Sequence, residues 1–91
     1  MMGVMASGSL FNAADFTGSD LFNTNFVGIN GHFAVFSQSD LFYSRFIAAS
    51  LHGAEFRDCN LKRVDFTNAI LRGVDFRDSN PQESYNMRVV N

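Results

Sequence analysis

A large apolar residue returns at every fifth position of this chain, a period that fits neither a helix at 3.6 nor a strand at 2.0. The positions are Phe11, Phe16, Leu21, Phe26, Gly31, Phe36, Leu41, Phe46, Leu51, Phe56, Leu61, Phe66, Leu71 and Phe76. Thirteen of these fourteen are Leu or Phe, although the two types supply only 17 of 91 residues. A chain that turns a corner every five residues satisfies such a period. A long helix or an ordinary sheet does not.

The other positions of the frame agree with that reading. Two residues before each large one stands a small one, from Ser9, Ala14, Ser19 and Thr24 to Cys59, Val64, Ala69 and Val74, with Ile29 as the exception. The small and the large residue face inward together, by period-2 logic within one short side. Asp or Asn lies between them at 15, 20, 25, 30, 40, 60, 65 and 75. These types tolerate left-handed backbone and bond back to nearby main chain, so the expectation places them at the corners.

The pattern Ala-Asp/Asn-Leu/Phe followed by two variable residues resembles the pentapeptide repeat family over about residues 9–80. That resemblance implies an all-β fold: a right-handed quadrilateral β-helix with four pentapeptides per coil and about 3.5 coils here. Residues 20 apart then stack. Three columns are pure in type: Phe16, Phe36, Phe56 and Phe76; Leu21, Leu41 and Leu61; Phe26, Phe46 and Phe66. Like shapes on successive levels suit close packing. At ~4.8 Å between paired strands the stack is ~17 Å tall.

The fourth column, Phe11, Gly31, Leu51 and Leu71, contains a gap. An unfilled void of Leu size costs ~2–5 kcal/mol, so a coil irregularity is expected at Gly31, with Phe33 swinging in to cover part of the hole. Pro81 takes the next large-residue place, and Asn80-Pro81-Gln82-Glu83 reads as the start of a helix. The expected organisation is an N-terminal lead-in or cap over 1–8, the β-helix over 9–80, and a C-terminal helical cap over 81–91. The cap helix spans roughly 81–90, with Tyr85 and Val89 facing the stack.

Composition narrows the function classes. A formal charge of -2 suits neither a polyanion partner nor a strongly acidic field. Cys59 stands alone, so no intramolecular disulfide forms and a reducing, cytoplasmic setting is expected. No window approaches the ~18 apolar residues of a membrane span, so no membrane partner is expected. The Arg-bearing second half lacks the outward aromatics of a nucleic-acid site, and no nucleic acid is expected either. Cys59 and the serines at small-residue places read as packing groups, and the Asp residues as structural ones. No phosphate-cradling glycine loop, paired-Cys metal motif or His-Ser-Asp order is present. The expectation is therefore no enzyme, no cofactor, no metal and no small-molecule substrate. His32 and His52, with Arg72 continuing their column, read as solvated surface rather than as a zinc set.

Apolar residues at outward places are what the coil does not explain. Phe22 and Phe42 lie 20 apart, Val27 and Ile47 lie 20 apart, and Tyr43 follows Phe42. Contiguous exposed apolar surface usually marks an interface. The expected function is a non-catalytic protein-binding or scaffold module, self-associating as a homo-oligomer or meeting another protein through Phe22, Val27, Phe42, Tyr43 and Ile47. The family resemblance implies an alternative, a DNA-mimicking modulator of a type II topoisomerase (gyrase). Members with that role are long acidic rods.

Overall fold

The computed structural model describes residues 10–85, which wind as one continuous four-sided coil, an all-β solenoid. Each paired residue meets its partner 20 positions away in parallel, from Leu10 with Asn30 to Asp65 with Tyr85. The ladder consists of single paired residues separated by turns, because a side of five residues is too short for a longer strand. Around Phe36 the pattern is typical. Phe36 N donates to Glu55 O at 2.8 Å and Gln38 N to Arg57 O at 2.8 Å, while Val35 N reaches back to Ala14 O at 2.9 Å. Among the described residues no helix is long and apolar enough to cross a membrane.

The corners sit two residues after each large residue, not at the Asp and Asn places. All fourteen residues from position 13 to position 78 at intervals of five have positive φ, ten of them non-glycine with φ between 54° and 65°. Most corners close with the amide three residues on donating back, as Ala14 N does to Phe11 O at 2.9 Å. That is a β-turn whose third residue must be left-handed. The expectation of left-handed Asp and Asn is thus corrected. These residues occupy the extended, paired position, and their carboxyl or amide oxygen accepts the amide two residues on. Asp15 to Thr17, Asp65 to Thr67 and Asp75 to Arg77 are examples at 2.9, 2.9 and 3.0 Å. Their side chains brace the approach to the corner rather than form it.

A non-glycine residue in left-handed backbone costs roughly 1–2 kcal/mol. Ala48 (φ 58) is exposed and lies one coil after Gly28 (φ 67), which holds the same corner. Ala48→Gly is expected to raise stability by about 0.5–1 kcal/mol, because relief of strain exceeds the added chain entropy. A urea melt that shows loss instead of gain removes this account of the corners.

Inside, the two Phe columns stand next to each other. Phe26 and Phe46 stack at 4.8 Å and 11°, Phe36 and Phe56 at 4.8 Å and 9°. Between columns the rings meet edge to face, as Phe36 does Phe46 at 5.4 Å and 87°. Rings are thus near-parallel within a column and near-perpendicular between columns, a herringbone arrangement that ring quadrupoles favour.

The small inward residues carry a second device. Ser39 Oγ donates to Phe16 O at 2.8 Å, and Ser44 Oγ donates to Leu21 O at 2.6 Å. The same hydroxyls accept the amides of Ser19 and Thr24 one coil earlier. Cys59 takes this place in the column of Ser19, Ser39 and Ser79: its thiol donates to Phe36 O at 2.9 Å, and its amide goes to Ser79 Oγ. Burial pushes the Cys59 thiol up to about 11, so it stays protonated and unreactive near neutral pH.

At Gly31 the coil is regular, contrary to the expectation. Gly31 N donates to Ser50 O at 2.8 Å and Ala34 N closes the corner onto Gly31 O at 3.1 Å. Phe33 does not turn inward; it is 61% exposed, and its ring lies over Gly53 and against His52. The gap is filled by Ile29. A Cβ added at Gly31 would stand 3.4 Å from Ile29 Cδ1 and 3.2 Å from Leu51 Cδ2. The oversized small residue and the missing large one compensate each other within one side. A local cost remains beside them. His32 N goes to Asn12 Oδ1 at 2.9 Å, and the buried Asn30 Oδ1, at the place that accepts such an amide elsewhere in the frame, has no partner among the described residues.

The C-terminal expectation is also corrected. Pro81–Glu83 form a single 3-10 turn, Ser84 is extended, and Tyr85 returns to the ladder opposite Asp65. Asn80 makes no side-chain cap; its Oδ1 instead accepts Leu61 N at 2.7 Å. Arg63 N to Glu83 O, Tyr85 N to Val64 O and Phe66 N to Tyr85 O continue the 20-residue register. The coil thus runs five residues beyond the expected boundary. Residues 1–9 and 86–91, including the expected lead-in and the remainder of the expected helix, lie outside the described residues.

Candidate functional site

Among the described residues two open grooves lie on sides of the coil that are ten residues, or half a turn, apart. The first is lined by Phe22, Asn23, Phe42 and Tyr43 and measures about 430 Å³. Phe22 and Phe42 each follow an inward leucine, Leu21 or Leu41, so alternation turns them outward. Their levels are joined by Asn23 N donating to Phe42 O at 2.8 Å. Tyr43 occupies a left-handed corner (φ 65), which throws its ring sideways onto Phe42, 5.7 Å away and edge to face. Phe22 is 38% and Tyr43 52% exposed. One coil further on, Lys62 and Arg63 take the corresponding places and end the apolar surface.

Of the five residues singled out from sequence, the fold brings Phe22, Phe42 and Tyr43 around one groove. Val27 and Ile47 stand on the next side, half-buried, joined to each other's level through Gly28 N and Ile47 O at 2.8 Å. They do not line the groove.

The second groove, about 550 Å³, is lined by His32, Ser50, His52, Ala69, Ile70, Leu71 and Arg72. Ser50 and Ile70 are successive members of a paired column, and His32, His52 and Arg72 are successive members of the column two residues on. His32 Nε2 lies 2.6 Å from Ser50 Oγ, and the two imidazoles meet at 5.9 Å, edge to face. Ser50 and Ile70 carried no sequence signal of their own. They acquire a role only when residues two places apart are read across three levels.

Elsewhere the outer surface is charged in both signs. Arg77 pairs with Asp75 at 2.8 Å, and Arg57 approaches the same carboxylate at 4.0 Å. The Arg77 hydrogen bonds hold the Asp75 carboxyl below the usual carboxylate range. These groups are solvated, and exposed pairs contribute little to stability. Among the described residues no three His, Cys, Asp or Glu side chains gather as a metal site.

The 20-residue register, the inward Leu and Phe columns and the five-residue corners together define a repeat architecture, and the family defined by a pentapeptide repeat region matches residues 9–85. The chain is a pentapeptide repeat protein. Among solved structures, a pentapeptide repeat protein from the thylakoid lumen of Arabidopsis thaliana is 30% identical, with a TM-score of 0.70 over 98% of this chain and 69% of that one. QnrB1, a plasmid-mediated fluoroquinolone resistance protein, is 21% identical, with a TM-score of 0.54 over 87% of this chain and 42% of that one. A search of curated proteins finds no match. The likeness to QnrB1 is one of fold, and this pentapeptide repeat protein spans less than half of its length.

Proposed function

We propose that this pentapeptide repeat protein is a non-catalytic protein-binding module, a right-handed coil that pairs with a second copy of itself through the groove of Phe22, Phe42 and Tyr43. The observation that carries this reading is the clustering of three outward aromatic rings around one open groove. No charged side chain lines that groove, so the matching surface is apolar. A second copy supplies such a surface. The protruding Tyr43 ring beside a cleft is self-complementary about a two-fold axis, the commonest symmetry of soluble oligomers. Rings of this kind are also the usual energetic centre of an interface.

The topoisomerase alternative finds less support on this surface. A DNA mimic presents columns of carboxylates, whereas here Arg57 and Arg77 stand beside Asp75 on the outer face.

Replacing Phe22 and Phe42 together by Ser is expected to leave the circular dichroism spectrum unchanged and to lower the mass in light scattering from dimer to monomer. Wild-type protein that stays monomeric at the highest soluble concentration overturns the self-pairing.

A further inference from the structure

We propose that the second groove is a ligand site, in which Arg72 and Ser50 hold the carboxylate of a small organic acid beside the two imidazoles, with its apolar body on Ile70. The site is on the opposite side of the coil from the aromatic groove and does not depend on the self-pairing proposed above.

The sign of the ligand follows from the lining. Arg72 is exposed and forms no ion pair among the described residues, and no Asp or Glu lines the groove. A cationic ligand meets only like charge there. A guanidinium fork matches a carboxylate with two parallel hydrogen bonds, which a lone ammonium cannot do. Ser50 adds a directed donor. His32 Nε2 and Ser50 Oγ lie 2.6 Å apart; in the tautomer that carries the proton on Nε2 the ring donates to Oγ, and the hydroxyl proton is left to point into the groove. The two histidines serve as a polar wall: His32 Nε2 is engaged by Ser50, and among the described residues no third His, Cys, Asp or Glu joins them as a metal site.

The remainder of the lining is apolar, and this separates an organic acid from a bare inorganic anion. Ile70 is 55% exposed and Leu71 is buried just behind it, so a hydrocarbon body laid there removes apolar surface from water. Phe33 stands behind the lining and supports His52 through an edge-to-face contact at 5.6 Å. That ring is held in place because residue 53 is glycine: a Cβ at Gly53 would stand 2.6 Å from Phe33 Cε1. A volume of about 550 Å³ accommodates a molecule of roughly ten to fifteen heavy atoms. The ligand is bound, not converted: with Nε2–H donating to Ser50 Oγ, the His32 ring is not placed to take the hydroxyl proton, and no Asp or Glu lines the groove to orient the imidazole as a base.

The test is a titration of the full chain, followed by amide NMR shifts, with 4-phenylbutyrate and with the neutral 4-phenylbutanol. Phenylbutyrate is expected to give saturable shifts centred on His52, Ile70 and Arg72. The alcohol is expected to bind about tenfold more weakly, and Arg72→Gln to weaken the acid by a similar factor, as loss of a charge-assisted pair does. Arg72 is exposed, so the variant folds, and an unchanged circular dichroism spectrum verifies it. Phe22→Ser with Phe42→Ser leaves the affinity unchanged, which keeps this site distinct from the self-pairing surface. Equal binding of acid and alcohol, shifts centred elsewhere, no saturation, or an affinity indifferent to Arg72→Gln each overturns the proposal.

Discussion

Ile29→Ala is expected to lower the stability of this protein by ~2–5 kcal/mol, and Gly31→Leu added to the same chain to restore most of that loss. Ile29 is 1% exposed and supplies the side chain that fills the column where every other level carries Leu or Phe. Trimming it opens a void bounded by Gly31, Ala34 and Leu51, which a rigid coil tied on both sides by main-chain bonds cannot collapse to fill. Gly31→Leu alone fails for the opposite reason. Its Cβ already stands 3.2 Å from Leu51 Cδ2 and 3.4 Å from Ile29 Cδ1, so the further carbons overpack the side, at a cost of ~1–3 kcal/mol. Gly31 has no positive φ, so a side chain meets no backbone objection there. The double variant restores the frame used everywhere else, a small residue followed two places on by a large one. A double-mutant cycle in urea is the measurement. If the two losses simply add, Ile29 and Gly31 are not a compensating pair.

That pair shows where sequence reading reached and where it stopped. Both exceptions to the frame were visible as letters, and the frame itself led to the coil, the columns and the inward small residues. The mutual repair was not visible, because it depends on two inward side chains of one side sharing a single volume. Phe33 looked like the nearer plug, but it sits at a left-handed corner whose Cα–Cβ bond aims outward. The Asp and Asn places were misread for a related reason. Their preference for left-handed backbone is real, but so is their capacity to accept an amide two residues on, and in this coil the second use wins. Pro81 misled in another way. At a large-residue place the backbone amide normally donates to the following coil, as Phe11 N does to Asn30 O. Proline has no such donor, so it fits the ladder's last described side without starting a helix. The aromatic groove was legible in part, since alternation alone turns Phe22 and Phe42 outward. That Val27 and Ile47, on the adjacent side, stay out of the groove was not.

The second large effect concerns the middle of the Phe columns. Phe46→Ala is expected to cost ~3–5 kcal/mol, a large share of the roughly 5–10 kcal/mol that hold a domain of this length together. Phe46 is fully buried, stacked on Phe26 at 4.8 Å and on Phe66 at 5.5 Å, with Phe36 and Phe56 meeting it edge to face at 5.4 and 5.5 Å. Four ring partners, each worth ~0.5–1.5 kcal/mol beyond area burial, tie this side chain into both columns, as they do Phe26, Phe36 and Phe56. Phe76 has only two ring partners, Phe56 and Phe66, and is partly exposed at the far end of its column. Phe76→Ala is therefore expected to cost no more than about half as much. In a solenoid each level leans only on its neighbours, so loss at the end frays one level whereas loss in the middle uncouples the levels on both sides. Phe46→Leu separates ring chemistry from volume: leucine fits this frame at positions 41 and 51, and the cost should fall to about 1–2 kcal/mol. Urea melts of the three variants decide the matter. Equal losses for Phe46→Ala and Phe76→Ala mean that the levels do not support one another through the ring columns, and the stability lies in the backbone ladder instead.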